Sequence, residues 1–183
     1  MKKAKGNRLM YRFATGLSLL MLTSFLSGYT CGGPILEDPG FDVWCDKKLC
    51  SWSVEKGSIK RVATWHRSDW GVELVGKEVV LSQDSDTTSS NTQCFQFKMQ
   101  ADRDDTVSLF LEIDFFKDGT IEYSHPLASN HWNPIEYKLK TPSWYKNVRF
   151  MIVKKGDGRA VLTQFKVTSG SDCKGNPIPL TNR

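Results

Sequence analysis

The sequence predicts an all-β protein, a two-sheet antiparallel β-sandwich, on three observations. The first is the stretch Thr106 to His125, where Val107, Leu109, Leu111, Ile113 and Phe115 fall at every second position. Side chains alternate across a strand, so these five share one face. Asp118-Gly119 follows, the dipeptide that suits a two-residue hairpin turn, and Ile121 and Tyr123 resume the alternation on a returning strand. The second is a succession of short alternating segments separated by Gly, Pro, Asp and Asn. The third is the lack of a helical period anywhere after residue 31. A hairpin with one strongly apolar face needs a second sheet against it, and the hairpin strand Val107 to Phe115 is expected near the middle of its sheet.

The first thirty of the 183 residues are of another kind. Lys2, Lys3, Lys5, Arg8 and Arg12 form a basic head, and Leu17, Leu19, Leu20, Met21, Leu22, Phe25 and Leu26 an apolar run. Small residues then lead to Cys31. A basic head, a short apolar core and a small-residue exit describe a bacterial secretion signal, and the run is too short to span a bilayer. The whole chain has 25 Lys plus Arg against 20 Asp plus Glu, but the leader holds five of the cations and no acid. From residue 31 onward the two signs balance, so the electrostatic footprint of a nucleic-acid binder is missing.

Export makes disulfides plausible, and five cysteines, an odd number, invite a special role for one. The stretch Leu26-Ser27-Gly28-Tyr29-Thr30-Cys31 resembles the lipobox of bacterial lipoproteins, with Gly28 where that family prefers Leu. The resemblance implies that Cys31 is lipidated and that the protein is held at the cell envelope. Gly32 rather than Asp after the cysteine implies the outer membrane. The alternative is ordinary cleavage and a secreted or periplasmic protein. Lipidation leaves Cys45, Cys50, Cys94 and Cys173, which permit three connectivities. Cys45–Cys50, closing a polar turn, and Cys94–Cys173, tying down the C-terminus, are the preferred pairs.

Residues 1–30 are thus read as signal, 31–39 as a Gly- and Pro-containing tether, 40–173 as the sandwich and 174–183 as an irregular tail. Strand signals run in order through Phe41 to Trp44, Ser51 to Val54, Ser58 to Thr64, Gly71 to Val75, Glu78 to Gln83 and Phe95 to Met99. After the hairpin come Ile135 to Lys140, Asn147 to Lys154 with Val148, Phe150 and Ile152 on one face, and Arg159 to Val167. Asp84 to Thr92 is almost wholly polar and reads as a loop.

Gly40-Phe41-Asp42-Val43-Trp44, then Trp52, then Glu55-Lys56-Gly57-Ser58, resembles the opening of galactose-binding-like jelly rolls, a group that includes carbohydrate-binding modules. His66 to Gly71, Val148-Arg149-Phe150 and Gly158 to Leu162 are similar to later parts of the same pattern. The resemblance implies a jelly roll and a polysaccharide or cell-envelope glycan as partner. It also implies a structural calcium at Asp42, with Gln164 near the second ligand position, where the group has an acid. A neutral amide is a weaker calcium ligand than a carboxylate.

The loop Trp65 to Trp70 is the leading candidate ligand site. Trp65 and Trp70 can stack on sugar C–H faces, while His66, Arg67 and Asp69 bind hydroxyls. Trp132 and the pair Trp144-Tyr145 are further candidates. Indoles also close the ends of sandwich cores, which is the competing reading for each. Catalysis has little support. Ser68, His66 and Asp69 share a loop without the geometry of a triad, and the three histidines show no metal spacing. Glu112 and Asp114, two apart on one strand face, are expected on the solvated side of the hairpin, although paired acids can hydrolyse glycosides. The sequence therefore points to an exported, lipid-anchored, non-catalytic binding module. Its alternatives are a structural or protein-interaction lipoprotein and, more remotely, a glycoside hydrolase.

Overall fold

The computed structural model describes residues 35–64, 70–127 and 135–170. Twelve strands follow in order: β1 (Trp44–Cys45), β2 (Lys48–Leu49), β3 (Ser53–Ala63), β4 (Trp70–Asp84), β5 (Thr88–Ser89), β6 (Cys94–Arg103), β7 (Ser108–Asp114), β8 (Tyr123–Leu127), β9 (Ile135–Lys140), β10 (Tyr145–Lys146), β11 (Arg149–Lys155) and β12 (Ala160–Gly170). No helix occurs among the described residues. The long strands form one antiparallel sheet in the order β8-β7-β11-β4-β12-β6-β9, with β3 along β4.

That sheet is curled into two layers, and β4 belongs to both. Its second half, Glu78 to Asp84, pairs with β11. Its first half meets β12 at Val72 and Glu73. The two sequence segments Gly71 to Val75 and Glu78 to Gln83 are therefore one bent strand. The bend lies at Gly76, with φ of 124°. The β3–β4 register slips on either side of Lys56. Opposite the bend, Gly57 has φ of 77°, and a Cβ there would lie 2.8 Å from the Glu78 carbonyl oxygen. Only glycine tolerates both the angle and the approach. The buried Lys154 ammonium donates to the carbonyls of Gly76 and Gly156, so the exposed end of the corner is satisfied.

The layers meet through aromatic side chains from strands that are not hydrogen-bonded neighbours. Phe95 and Phe97 of β6 lie 5.5 and 6.2 Å from Phe150 of β11, centroid to centroid. Phe95 also stacks on Phe115. These contacts are the sandwich core, and Val107, Leu109, Leu111, Ile113 and Phe115 all lie in it, as the alternation requires.

Several details differ from the expectations. Strand β7 is second from the edge, not near the middle, because β8 pairs on one side and ends the sheet. The hairpin turn is not two residues long. Residues 115–122 form a loop with positive φ at Lys117 and Gly119 and not at Asp118. The Asp114 carboxylate shapes it by accepting backbone N–H groups from Phe116, Asp118 and Gly119. Asp114 is accordingly buried and satisfied, not solvated.

The expected tether ends earlier than residue 39. Ile35 N–H donates to the Val167 carbonyl, Phe165 N–H to that of Pro39, and Leu36 is 4% exposed. Residues 35–39 run along the part of β12 that β4 leaves unpaired. Phe41 turns back with φ of 58° into the core against Trp52, so the first strand contains Trp44 and not Phe41.

Candidate functional site

Strand β4 sends Leu81 into the core, so Ser82 and Asp84 alternate to the opposite, outward face. Register places Ser53 of β3 and Met151 of β11 on either side of Ser82, and Arg149 beside Asp84. A groove of ≈ 360 Å³ opens there. Glu37, Ser53, Glu55, Ser82, Asp84, Asp86 and Arg149 are among its lining residues. Its polar groups are already ordered. Ser82 Oγ donates to Glu55 Oε1 at 2.7 Å. Arg149 Nε donates to Asp84 Oδ1 at 2.7 Å, and Lys117 Nζ approaches Asp84 Oδ2 at 2.7 Å. Partial burial raises the Asp84 pKa, but hydrogen bonds and charge from Arg149 and Lys117 outweigh it and hold the carboxyl below its usual range. At the base of the groove, the Gln83 amide is spent on the backbone of Glu37 and Ser51, which makes it structural.

Register extends this outward face to Glu112 and Ser124, the latter hydroxyl 3.4 Å from Glu112 Oε1. Met151 and Val153 also point outward and are nonetheless buried. What the groove presents to a ligand is a hydroxyl, carboxylate and guanidinium rim with Ile35 as its apolar member. Such a surface can hold a ligand that presents C–H groups on one side and hydroxyls on the other. The sequence signal was the run Phe150-Met151-Ile152-Val153, apolar at both parities, which marks a strand covered on both faces.

A second cavity, of ≈ 540 Å³, is lined by Thr88, Ser89, Ser90, Trp144, Tyr145 and Lys146. Trp144 is 56% exposed and stacks on Phe116, centroids 5.3 Å apart. Its neighbour Tyr145, a candidate with it, is instead fully buried against Phe95 and donates its hydroxyl to Gln93 Oε1.

Of the leading candidate loop, Trp65, His66, Arg67 and Asp69 lie outside the described residues, as do Trp132, Cys31 and Cys173. Trp70 is described. It is exposed at the start of β4, with the Arg61 guanidinium 4.4 Å from its ring centre. The groove lies at the other end of that strand, so Trp70 does not line it. Asp42 is exposed, and its backbone N–H donates to the Asp38 carboxylate. Gln164 is half-buried on β12. Among the described residues, the acids whose oxygens come together, within 4.8 Å, are Asp114, Asp118 and Glu122. Asp114 and Glu122 there serve loop backbone, Glu122 accepting from Phe115 N–H. Burial, with repulsion from Asp114 and Asp118, pushes the Glu122 carboxyl up.

His125 packs between Tyr123 and Tyr137, and burial pushes its pKa down, so it is neutral at pH 7. Cys45 and Cys50 are joined, as expected. Cys94 is also disulfide-bonded, to a partner outside the described residues.

No protein-family model matches the chain, and no curated protein matches it. Solved structures do. A family 61 carbohydrate-binding module in complex with β-1,4-galactotriose is 13% identical, with a TM-score of 0.53, over 74% of this chain and 97% of that one. The CBM22-1 xylan-binding domain of Paenibacillus barcinonensis Xyn10C is 8% identical, with a TM-score of 0.55, over 78% and 97%. An arabinose-bound GH51 α-L-arabinofuranosidase is 9% identical, with a TM-score of 0.55, over 75% of this chain and 26% of the enzyme. At such identities the likeness is one of fold: the chain is a jelly-roll β-sandwich similar to those of carbohydrate-binding modules.

Proposed function

We propose that the protein is a non-catalytic glycan-binding module of the bacterial cell envelope, anchored by a lipid on Cys31. The observation that carries this reading is the outward groove over β3, β4 and β11. There Ile35 supplies an apolar contact beside Ser53, Glu55, Ser82, Asp84 and Arg149. Sugars combine C–H faces with hydroxyls, and ordered carboxylates and a guanidinium hydrogen-bond such hydroxyls at low entropic cost. Fold similarity to modules bound to galactotriose or described as xylan-binding supports the same class of ligand. The absence of catalysis is favoured by the partners of four acids on this face. Asp84 is held by two cations, Asp114 by loop backbone, and Glu55 and Glu112 each face a serine hydroxyl.

The test titrates the exported chain with β-1,4-galactotriose, xylohexaose and soluble peptidoglycan glycan strands. Binding of one or more is expected, weakened in Arg149→Gln and in Glu55→Gln, each measured well below its own melting temperature. Failure of all three to bind, or hydrolysis of any of them, overturns the reading.

A further inference from the structure

We propose that Trp144, held by Phe116, is a second sugar-binding platform, separate from the groove, whose indole takes the C–H face of a pyranose ring. This rests on the glycan-binding reading and adds a place to it.

The platform is built, not merely exposed. Tyr145, the next residue, is locked in the core among Phe95 and Phe115. Tyr145 and Lys146 pair with Ser89 and Thr88 in a two-strand ladder, and Lys146 N–H donates to the Phe115 carbonyl at 3.1 Å. The indole is therefore carried on a clamped segment. Phe116 stacks on it at an interplanar angle of 27°, which leaves more than half of the tryptophan open. An indole in a core or at a sandwich end would be covered, as Trp52 is in this chain. Ordering of the ring has been completed before a ligand arrives, which lowers the cost of binding.

The surroundings define the ligand. The cavity beside the indole carries the hydroxyls of Thr88, Ser89 and Ser90 and the Lys146 ammonium, with no carboxylate among the described residues that line it. Ser89 Oγ is already committed to Asn91, which fixes the loop rim. Thr88 and Ser90 are exposed at that rim. A flat apolar face with hydroxyl donors and acceptors at its edge matches a sugar ring better than an acyl chain, which needs no hydroxyls, or a metal, which needs anionic oxygens. The two cavities carry different residues, so their contributions are separable by mutation.

The probes are β-1,4-galactotriose, xylohexaose and soluble peptidoglycan glycan strands, titrated onto the exported chain while the Trp144 indole N–H resonance, assigned by its loss in Trp144→Phe, is followed. The resonance is expected to shift on titration, in wild type and in the groove variant Arg149→Gln. Trp144→Ala is expected to weaken binding about tenfold, with Trp144→Phe intermediate and both melting temperatures unchanged. An unmoved resonance, with Trp144→Ala binding as wild type does while Arg149→Gln fails, overturns the platform and leaves the groove reading intact. If no probe binds wild type, both fall.

Discussion

Arg149 and Asp84 face each other across the β11–β4 ladder, and the guanidinium Nε donates to the carboxylate at 2.7 Å. Lys117, from the hairpin loop, reaches the other oxygen at 2.7 Å. One carboxylate thus joins two strands to a loop at the edge of the groove.

This carboxylate sets an acid limit. Its folded pKa is depressed, so its contribution to stability is present above the unfolded value, about 3.9, and is lost as pH falls through the lower folded value. In melting curves from pH 5 down to pH 2, wild type should lose stability more steeply than Asp84→Asn. Parallel curves would show that the pair contributes nothing.

Leu111 is fully buried where β7 faces the other layer, paired with Ile152 and His125. Leu111→Asp should prevent folding, because an unpaired buried carboxylate costs several kcal/mol. Leu111→Ala should fold with a loss of about 2–5 kcal/mol, measured by urea denaturation.

Two glycines with positive φ should respond differently to alanine. At Gly156 an added Cβ would lie 2.2 Å from the Thr106 carbonyl oxygen, whereas at Gly119 nothing lies within 4 Å. Gly119→Ala should cost only the backbone strain, about 1 kcal/mol, and Gly156→Ala distinctly more. Equal losses in chemical denaturation would mean that the close approach relaxes freely.

The Cys45–Cys50 bridge closes a short loop, and its removal should cost about 2 kcal/mol in the chain-entropy model. For Cys94 we propose Cys173 as partner, and breaking that much longer loop should cost about 4.5 kcal/mol. Non-reducing peptide mapping identifies the partner, and melting of Cys94→Ser and Cys45→Ser variants ranks the two.

The proposed anchor has a short reach. Only four residues lead from Cys31 to the docked Ile35, at most about 14 Å of extended chain. Wild type should fractionate with membranes, and Cys31→Ser should not. Identical fractionation, with no acylated N-terminus in mass spectrometry, rejects the anchor.

Sequence alone determined the strand class and which faces are apolar. Alternation is a local property, and Val107 to Phe115 or Phe95 to Met99 satisfy it without reference to partners. The Cys45–Cys50 pair was legible for the same reason, since five residues of separation bring two cysteines together in a turn. Register and layering were decided only by the fold. That Gly71 to Val75 and Glu78 to Gln83 are one strand depends on a bend at Gly76, after which Glu78 and Val79 lie against Gly57, some twenty positions earlier in the chain. That Asp114 is buried depends on three backbone donors from a loop whose length the Asp118-Gly119 dipeptide understated. The groove was hidden for a related cause: Ser53, Ser82 and Arg149 are far apart in the chain and meet by cross-strand pairing, which leaves no motif. Trp144 and Tyr145 are adjacent and equally aromatic. Only the tertiary structure separates them, because successive side chains point to opposite sides and the core took one of the two.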